Sequence, residues 1–186
     1  MENVTTKTDN EPKADRCKNL IAVLDETCNL KTIETVIRNI HTLGVEKIYI
    51  VDSRYMITPN LDEILSGKSF FKPSEPAIRR TFVKSFESTE ECLEHLEKNG
   101  FTSIVISPPV KGKTNVILQE GDFTQKRLAV WFGNETRGIS NLLVERAEAF
   151  VSVEMYGNFE SLNPATSTAI VLYEIIKRRR GYQKKT

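Results

Sequence analysis

The chain has 186 residues, of which 39% are apolar and 27% charged, and its formal net charge is +1. That length fits one domain with a sizeable core, and the near-neutral balance excludes a globally basic nucleic-acid binder. No apolar run is long enough to cross a bilayer as a helix, so a membrane partner is not expected.

The first sixteen residues are polar, contain Pro12 and show no periodicity; residues 1–16 read as a disordered leader without a signal peptide. Cys17, Cys28 and Cys92 form neither a metal-ligand spacing nor an even disulfide set, so no metal and a reducing, cytoplasmic setting are expected. Asn19–Leu24 (NLIAVL) reads as a buried strand. Asn29 can cap a helix whose Leu30, Ile33, Ile37 and Ile40 share a face and which Gly44 ends. Val45–Val51 is the next strand. The segment from Asp52 to Pro76 carries prolines, a short helical patch at Leu61–Leu65 and little else. Arg80–Phe86 reads as a strand, Glu90–Lys98 as a helix closed by Asn99-Gly100, and Thr102–Ile106 as a strand stopped by Pro108-Pro109. Val116–Leu118 is a weak strand candidate and Arg127–Phe132 (RLAVWF) a strong one. A glycine-bearing loop and a short helix, Ser140–Ala147, lead to a strand at Val151–Val153.

The last helix is marked at both ends. Asn163 suits the N-cap, Pro164 the first helical position, Lys177–Arg180 the last turn and Gly181 a left-handed stop. Its middle is apolar on more than one face: Ala169, Leu172 and Ile176, then Ile170 and Tyr173, then Val171 and Ile175. A helix covered on one side needs less, so it is either sunk in the domain or met by a second subunit. Apolar runs alternating with amphipathic helices give an α/β domain with a mostly parallel sheet. Ligands of such sheets bind beyond the carboxyl ends of the strands. Three strand ends open into loops of small or polar residues: Ser107-Pro108-Pro109, Gly133–Gly138 and Met155–Asn163. Brought together, they would make one cleft.

Alone, the G-x-x-x-x-G of Gly133–Gly138 is a weak signal; it has neither the Lys-Ser/Thr of a phosphate-binding loop nor dinucleotide spacing. The pair of late loops says more. FGNETRGIS, followed by a strand and SLNPATSTAIVLYE, resembles motifs 2 and 3 of the SpoU/TrmH branch of the SPOUT RNA methyltransferases, and TIETVIRNIHTLGVEKIYIV resembles motif 1, with its arginine at Arg38. The likeness spans roughly residues 19–180.

That resemblance implies a methyltransferase domain over 17–182 with a C-terminal trefoil knot, followed by a basic tail at 183–186, and a homodimer acting on tRNA or rRNA. It implies S-adenosyl-L-methionine as the methyl donor and a ribose 2′-hydroxyl as acceptor. The cofactor pocket would be lined by Ser107, Pro108, Phe132, Gly133, Asn134, Val153, Met155, Ser161, Leu162 and Asn163. The catalytic set would be Arg38, Glu135 and Asn163. Arg38 would hold a phosphate or the ribose oxygen; a guanidinium is too weak an acid to serve readily as a base. Taken by itself, Arg38 reads as a surface partner of Glu34 at i, i+4, contributing about 0.3–0.5 kcal/mol; the motifs around it reverse that reading.

Two positions depart from the family pattern. Thr32 stands where an asparagine is usual six residues before the arginine, and Glu154 where a proline is usual before Met155. The Thr32 change leaves open a second reading, a SPOUT-fold RNA-binding dimer with weakened or lost turnover. RNA recognition would fall to Lys177–Arg180, Lys184-Lys185, Arg79-Arg80 and the dimer surface, while Tyr156 could stack on a base or simply pack.

Overall fold

A computed structural model describes residues 17–27, 29–61, 82–134, 136–158 and 161–183. In chain order these form β1 (Cys17–Asp25), α1 (Leu30–Leu43), β2 (Val45–Val51), a 3-10 turn (Thr58–Asn60), β3 (Phe82–Phe86), α2 (Thr89–Lys98), β4 (Thr102–Ile106), β5 (Asn115–Ile117), β6 (Leu128–Phe132), α3 (Asn141–Arg146), β7 (Ala149–Ser152) and α4 (Pro164–Gln183). The strands make one seven-stranded sheet in the order β3-β2-β1-β6-β4-β7-β5. Every pairing is parallel.

Alternation along each strand divides its side chains between two cores. Leu20, Ala22 and Leu24 of β1 face the layer made by α1 and α4, where Ile33, Val36, Ile37 and Ile40 meet Val171, Leu172, Ile175 and Ile176. Ile21 and Val23 face the opposite layer, with Cys92, Leu93 and Leu96 of α2 and Leu143 of α3. Each fully buried leucine or isoleucine contributes about 1.5–3 kcal/mol, so both faces of the sheet carry the fold. The caps follow the expected chemistry. Asn29 Oδ1 accepts from Lys31 and Thr32 N–H at 3.0 and 3.4 Å, and Gly44 closes α1 at φ 78°. Asn163 Oδ1 accepts from Ala165 N–H at 2.9 Å.

Several expectations change. The strand before the last loop is Ala149–Ser152, not Val151–Val153, because its register is set by pairing with β4 and β5. The weak candidate at Val116–Leu118 is the edge strand Asn115–Ile117. Gly181 does not stop α4, which runs on to Gln183. The basic cluster at Lys177–Arg180 is tied partly into the domain. Arg178 pairs with Glu174 at 2.8 Å and donates to the carbonyls of Gly121 (3.2 Å) and Gln119. Arg179 donates to those of Phe123 and Gln125, both at 2.7 Å. These arginines fasten α4 to the segment between β5 and β6. Arg79-Arg80, Cys28, Leu61–Leu65 beyond Leu61, the leader 1–16 and Lys184-Lys185 lie outside the described residues. Among the described residues no helix is long and apolar enough to cross a membrane.

Candidate active site

Strand register builds the site. Phe132 at the end of β6 pairs with Leu24 of β1 on one side and Ile106 of β4 on the other, and Ile106 pairs with Val151 of β7. The carboxyl ends of four neighbouring strands therefore lie in a row. The residues that follow, Asp25, Gly133, Ser107 and Ser152, open side by side, and Ser107 N–H donates to Val151 C=O at 3.1 Å. The connection after β1 leads through α1 to β2, and that after β6 leads the other way through α3 to β7. β1 and β6 thus flank the point where the sheet's connections reverse, where α/β sheets bind ligands.

The loop after β6 is held shut by its own backbone. Asn134 and Gly138 exchange hydrogen bonds at 2.9 and 3.0 Å. Gly133 has to be glycine there, since a Cβ would fall 2.6 Å from the Gly138 carbonyl oxygen. Asn134 Oδ1 accepts from Thr136 and Arg137 N–H, both at 2.9 Å, and its Nδ2 donates to Glu26 C=O at 2.6 Å. Glu26 Oε2 pairs with Arg137 at 3.4 Å and its Oε1 accepts from Ser53 N–H at 3.2 Å. Burial raises the pKa of Asp25 above the usual carboxylate range; the Thr89 hydroxyl at 2.7 Å pulls it back and Glu26 adds to the rise. Asp25, Glu26 and Arg137 escaped the motif reading. Their signal was the acidic pair directly after a central strand, and the arginine inside GNETRG.

The expected pocket residues divide. Ser107, Pro108, Gly133, Asn134, Val153 and Met155 follow neighbouring strand ends and are brought to one edge. Phe132 is at that edge too, but its ring is buried in the core, so only its backbone can face a ligand. Val153 is part-buried and packs on the same core, Leu162 is part-buried and Ser161 exposed. Asn163 lines a groove of about 520 Å³ between the N-terminal ends of α1 and α4, with Asn29, Lys31, Thr32, Thr35, Asn39 and Ala169. Arg38 lines an adjoining groove of about 520 Å³ that shares Asn39 and Ala169 and includes Leu118, Ile170 and Tyr173. Neither of these two grooves is lined by Ser107, Gly133, Asn134 or Met155. Glu34 is buried while Arg38 is exposed. Tyr156 does not pack: it is 87% exposed and its hydroxyl donates to Glu154 at 2.9 Å. Glu135 lies outside the described residues.

The SpoU rRNA Methylase family matches residues 19–173 of this sequence. The chain belongs to the SpoU rRNA methylase family. Its relatives include two tRNA (guanosine(18)-2'-O)-methyltransferases. That of Borreliella burgdorferi is 22% identical over 165 residues, covering 89% of this chain and 69% of the relative. That of Aquifex aeolicus is 26% identical over 164 residues, covering 88% and 72%. The crystal structure of the A. aeolicus TrmH/SpoU tRNA modifying enzyme superposes with a TM-score of 0.70 at 25% identity, covering 90% of this chain and 79% of that one. A second SpoU methyltransferase, AviRb from Streptomyces viridochromogenes in complex with AdoMet, shares the fold at a TM-score of 0.69 and 20% identity, over 88% of this chain and 62% of that one.

The residues of this SpoU chain fit a nucleoside-containing methyl donor. Thr27, two residues beyond β1, is 2% exposed, and its hydroxyl has no hydrogen-bond partner among the described residues. A buried hydroxyl of this kind costs free energy unless something pairs with it. The same edge offers the apolar side chains of Val153 and Met155 and a glycine turn with no side chain in the way.

Proposed function

We propose that this protein is an S-adenosylmethionine-dependent RNA methyltransferase that modifies a ribose 2′-hydroxyl of tRNA or rRNA. The observation that carries the proposal is the row of four strand ends, which gathers the loops of a family methyltransferase at one edge of the sheet. Ser107, Pro108, Gly133, Asn134, Val153, Met155, Ser161, Leu162 and the backbone of Phe132 would hold the donor. When bound, S-adenosylmethionine supplies an electrophilic methyl group on a sulfonium sulfur. The chain's residues align the acceptor hydroxyl with that carbon and keep the geometry in line. Arg38 would bind the acceptor nucleotide through its fixed charge, Asn163 would position the loop that leads into the helix it caps, and Glu135 would hold Arg38 or a backbone amide.

The reading includes a C-terminal trefoil knot and a homodimer in the cytoplasm. In favour of the knot, Arg178 and Arg179 grip the segment between β5 and β6 from the far end of α4. In favour of the dimer, Ile170 and Tyr173, the second apolar face of α4, are 42% and 59% exposed along the Arg38 groove. A second copy seated there would cover them and place Arg38 at a subunit boundary.

The test is methyl transfer from labelled S-adenosylmethionine to unmodified tRNA and rRNA, followed by alkaline hydrolysis. A 2′-O-methyl group blocks attack on the adjacent phosphodiester, so label is expected in alkali-resistant dinucleotides. Label on bases alone, or none, would overturn the reading. Analytical ultracentrifugation tests the dimer; a monomer at micromolar concentration would remove it.

A further inference from the structure

We infer that the loop after β2 carries a stacking platform for an unpaired RNA base, with Tyr55 as its surface, beside the methyl-transfer site. The inference rests on the RNA-methyltransferase reading for the kind of ligand, and on the following geometry for its place.

β2 is the neighbour of β1 and lies two strands from β6, so the loop opens about 10 Å from the Asn134 turn. It is rigid. Asp52, at its start, accepts from Met56, Ile57 and Thr58 N–H at 2.9, 2.9 and 2.8 Å and from the Thr58 hydroxyl at 2.8 Å. It is also joined to the active edge: Ser53 N–H donates to Glu26, the residue that accepts from Asn134 and pairs with Arg137. Among the described residues two non-glycines have positive φ, Glu26 at 59° and Tyr55 at 53°, and they lie at the two ends of this connection. A left-handed backbone is uncommon outside glycine and costs free energy that the surroundings must hold.

That strained backbone holds Tyr55 out. The side chain is 55% exposed, with Met56 at 49% beside it, and the tyrosine hydroxyl donates to Glu87 at 2.6 Å, which fixes the tip of the ring. Arg54 is exposed next to it, and Arg137 is exposed across the Glu26 link. Glu87 bonds the tyrosine hydroxyl, and Glu87, Asp52 and Glu91 are close enough to raise its pKa by their charge, so the platform offers a ring face rather than a positive field. An oriented, exposed aromatic face suits stacking of a splayed base. It lies where a nucleotide neighbouring the target would pass.

The experiment measures anisotropy of a labelled hairpin RNA with an unpaired loop, and steady-state methyl transfer to the tRNA or rRNA accepted by the wild type, for Tyr55→Ala, Tyr55→Asn and Tyr55→Phe. Asparagine tolerates the left-handed backbone and has no ring, so it separates stacking from loop folding. Tyr55→Ala and Tyr55→Asn are expected to weaken RNA binding about tenfold and to raise KM with kcat unchanged. S-adenosylhomocysteine affinity should hold in both. Tyr55→Phe, which keeps the ring and loses the Glu87 bond, should stay near wild type. Unchanged KM and affinity in the ringless variants of an active enzyme would overturn the inference alone. An equal loss in Tyr55→Phe, or dissociation of an oligomer, would also overturn it. Ring-dependent RNA binding without methyl transfer by the wild type would support it while sinking the activity reading.

Discussion

After β6 the chain is turned by Asn134, whose one oxygen accepts from two backbone N–H groups while its amide donates to Glu26 C=O. After β2 it is turned by Asp52, whose two oxygens accept from three backbone N–H groups and one hydroxyl. The amide both gives and takes, so it can stitch its loop to the neighbouring strand end. The carboxylate can only accept, so it organises its own loop strongly, and Ser53 and Glu26 make the link across. Two parallel strands with similar exits thus acquire different sensitivities. One turn depends on shape and a neutral donor, the other on charge.

Asp52→Ala should be the most damaging change at this edge. It strips the acceptor from the β2 loop and should lower stability by about 3 kcal/mol, read as a shift in the urea midpoint. The loss should depend on pH. Burial pushes the Asp52 carboxyl up, but the hydrogen bonds from Thr58, Ile57 and Met56 outweigh this and hold it below the usual range. A depressed folded value gives stability that is complete above about pH 4 and fades as pH falls through the folded value. The gap between wild type and Asp52→Asn should therefore narrow in acid. A gap that is constant down to strongly acid pH would show that charge is not what orders this loop.

Gly133→Ala comes next. Its methyl group would meet the Gly138 carbonyl, so the β6 loop must open, at about 2 kcal/mol. S-adenosylhomocysteine binding by calorimetry should weaken more than stability does. Asn134→Asp keeps an acceptor but loses the donor to Glu26, and should cost about 1–2 kcal/mol. Arg137→Ala removes only an exposed ion pair of 3.4 Å and should change the thermal midpoint little, by the equivalent of about 0.5 kcal/mol. A large effect there would mean that Arg137 supports the fold through more than its pair with Glu26, its charge beside Asp25 included.

The same contrast explains what the sequence disclosed. Helix caps at Asn29 and Asn163, the buried RLAVWF strand and the tight glycine loop are local features, set by neighbours in the chain, and they were legible. The Asp52 loop left no mark, because an acceptor serving donors four to six positions later has no periodicity. The arginines of α4 looked like a helix-end or RNA-facing cluster, because their carbonyl partners lie 54 to 59 residues earlier in the chain. The proposed site residues came from motifs, yet the motifs did not tell that Arg38 lines a groove between α1 and α4 in which neither Gly133 nor Asn134 takes part. That separation belongs to the packing of α1 on α4.

The central claim is that the strand ends of β6, β4 and β7 make one socket for the methyl donor. A crystal structure with S-adenosylhomocysteine tests it most directly. The account predicts density for the ligand against Ser107, Gly133, Asn134, Met155 and Leu162. Density confined to the groove between α1 and α4, with those loops unoccupied, would contradict it.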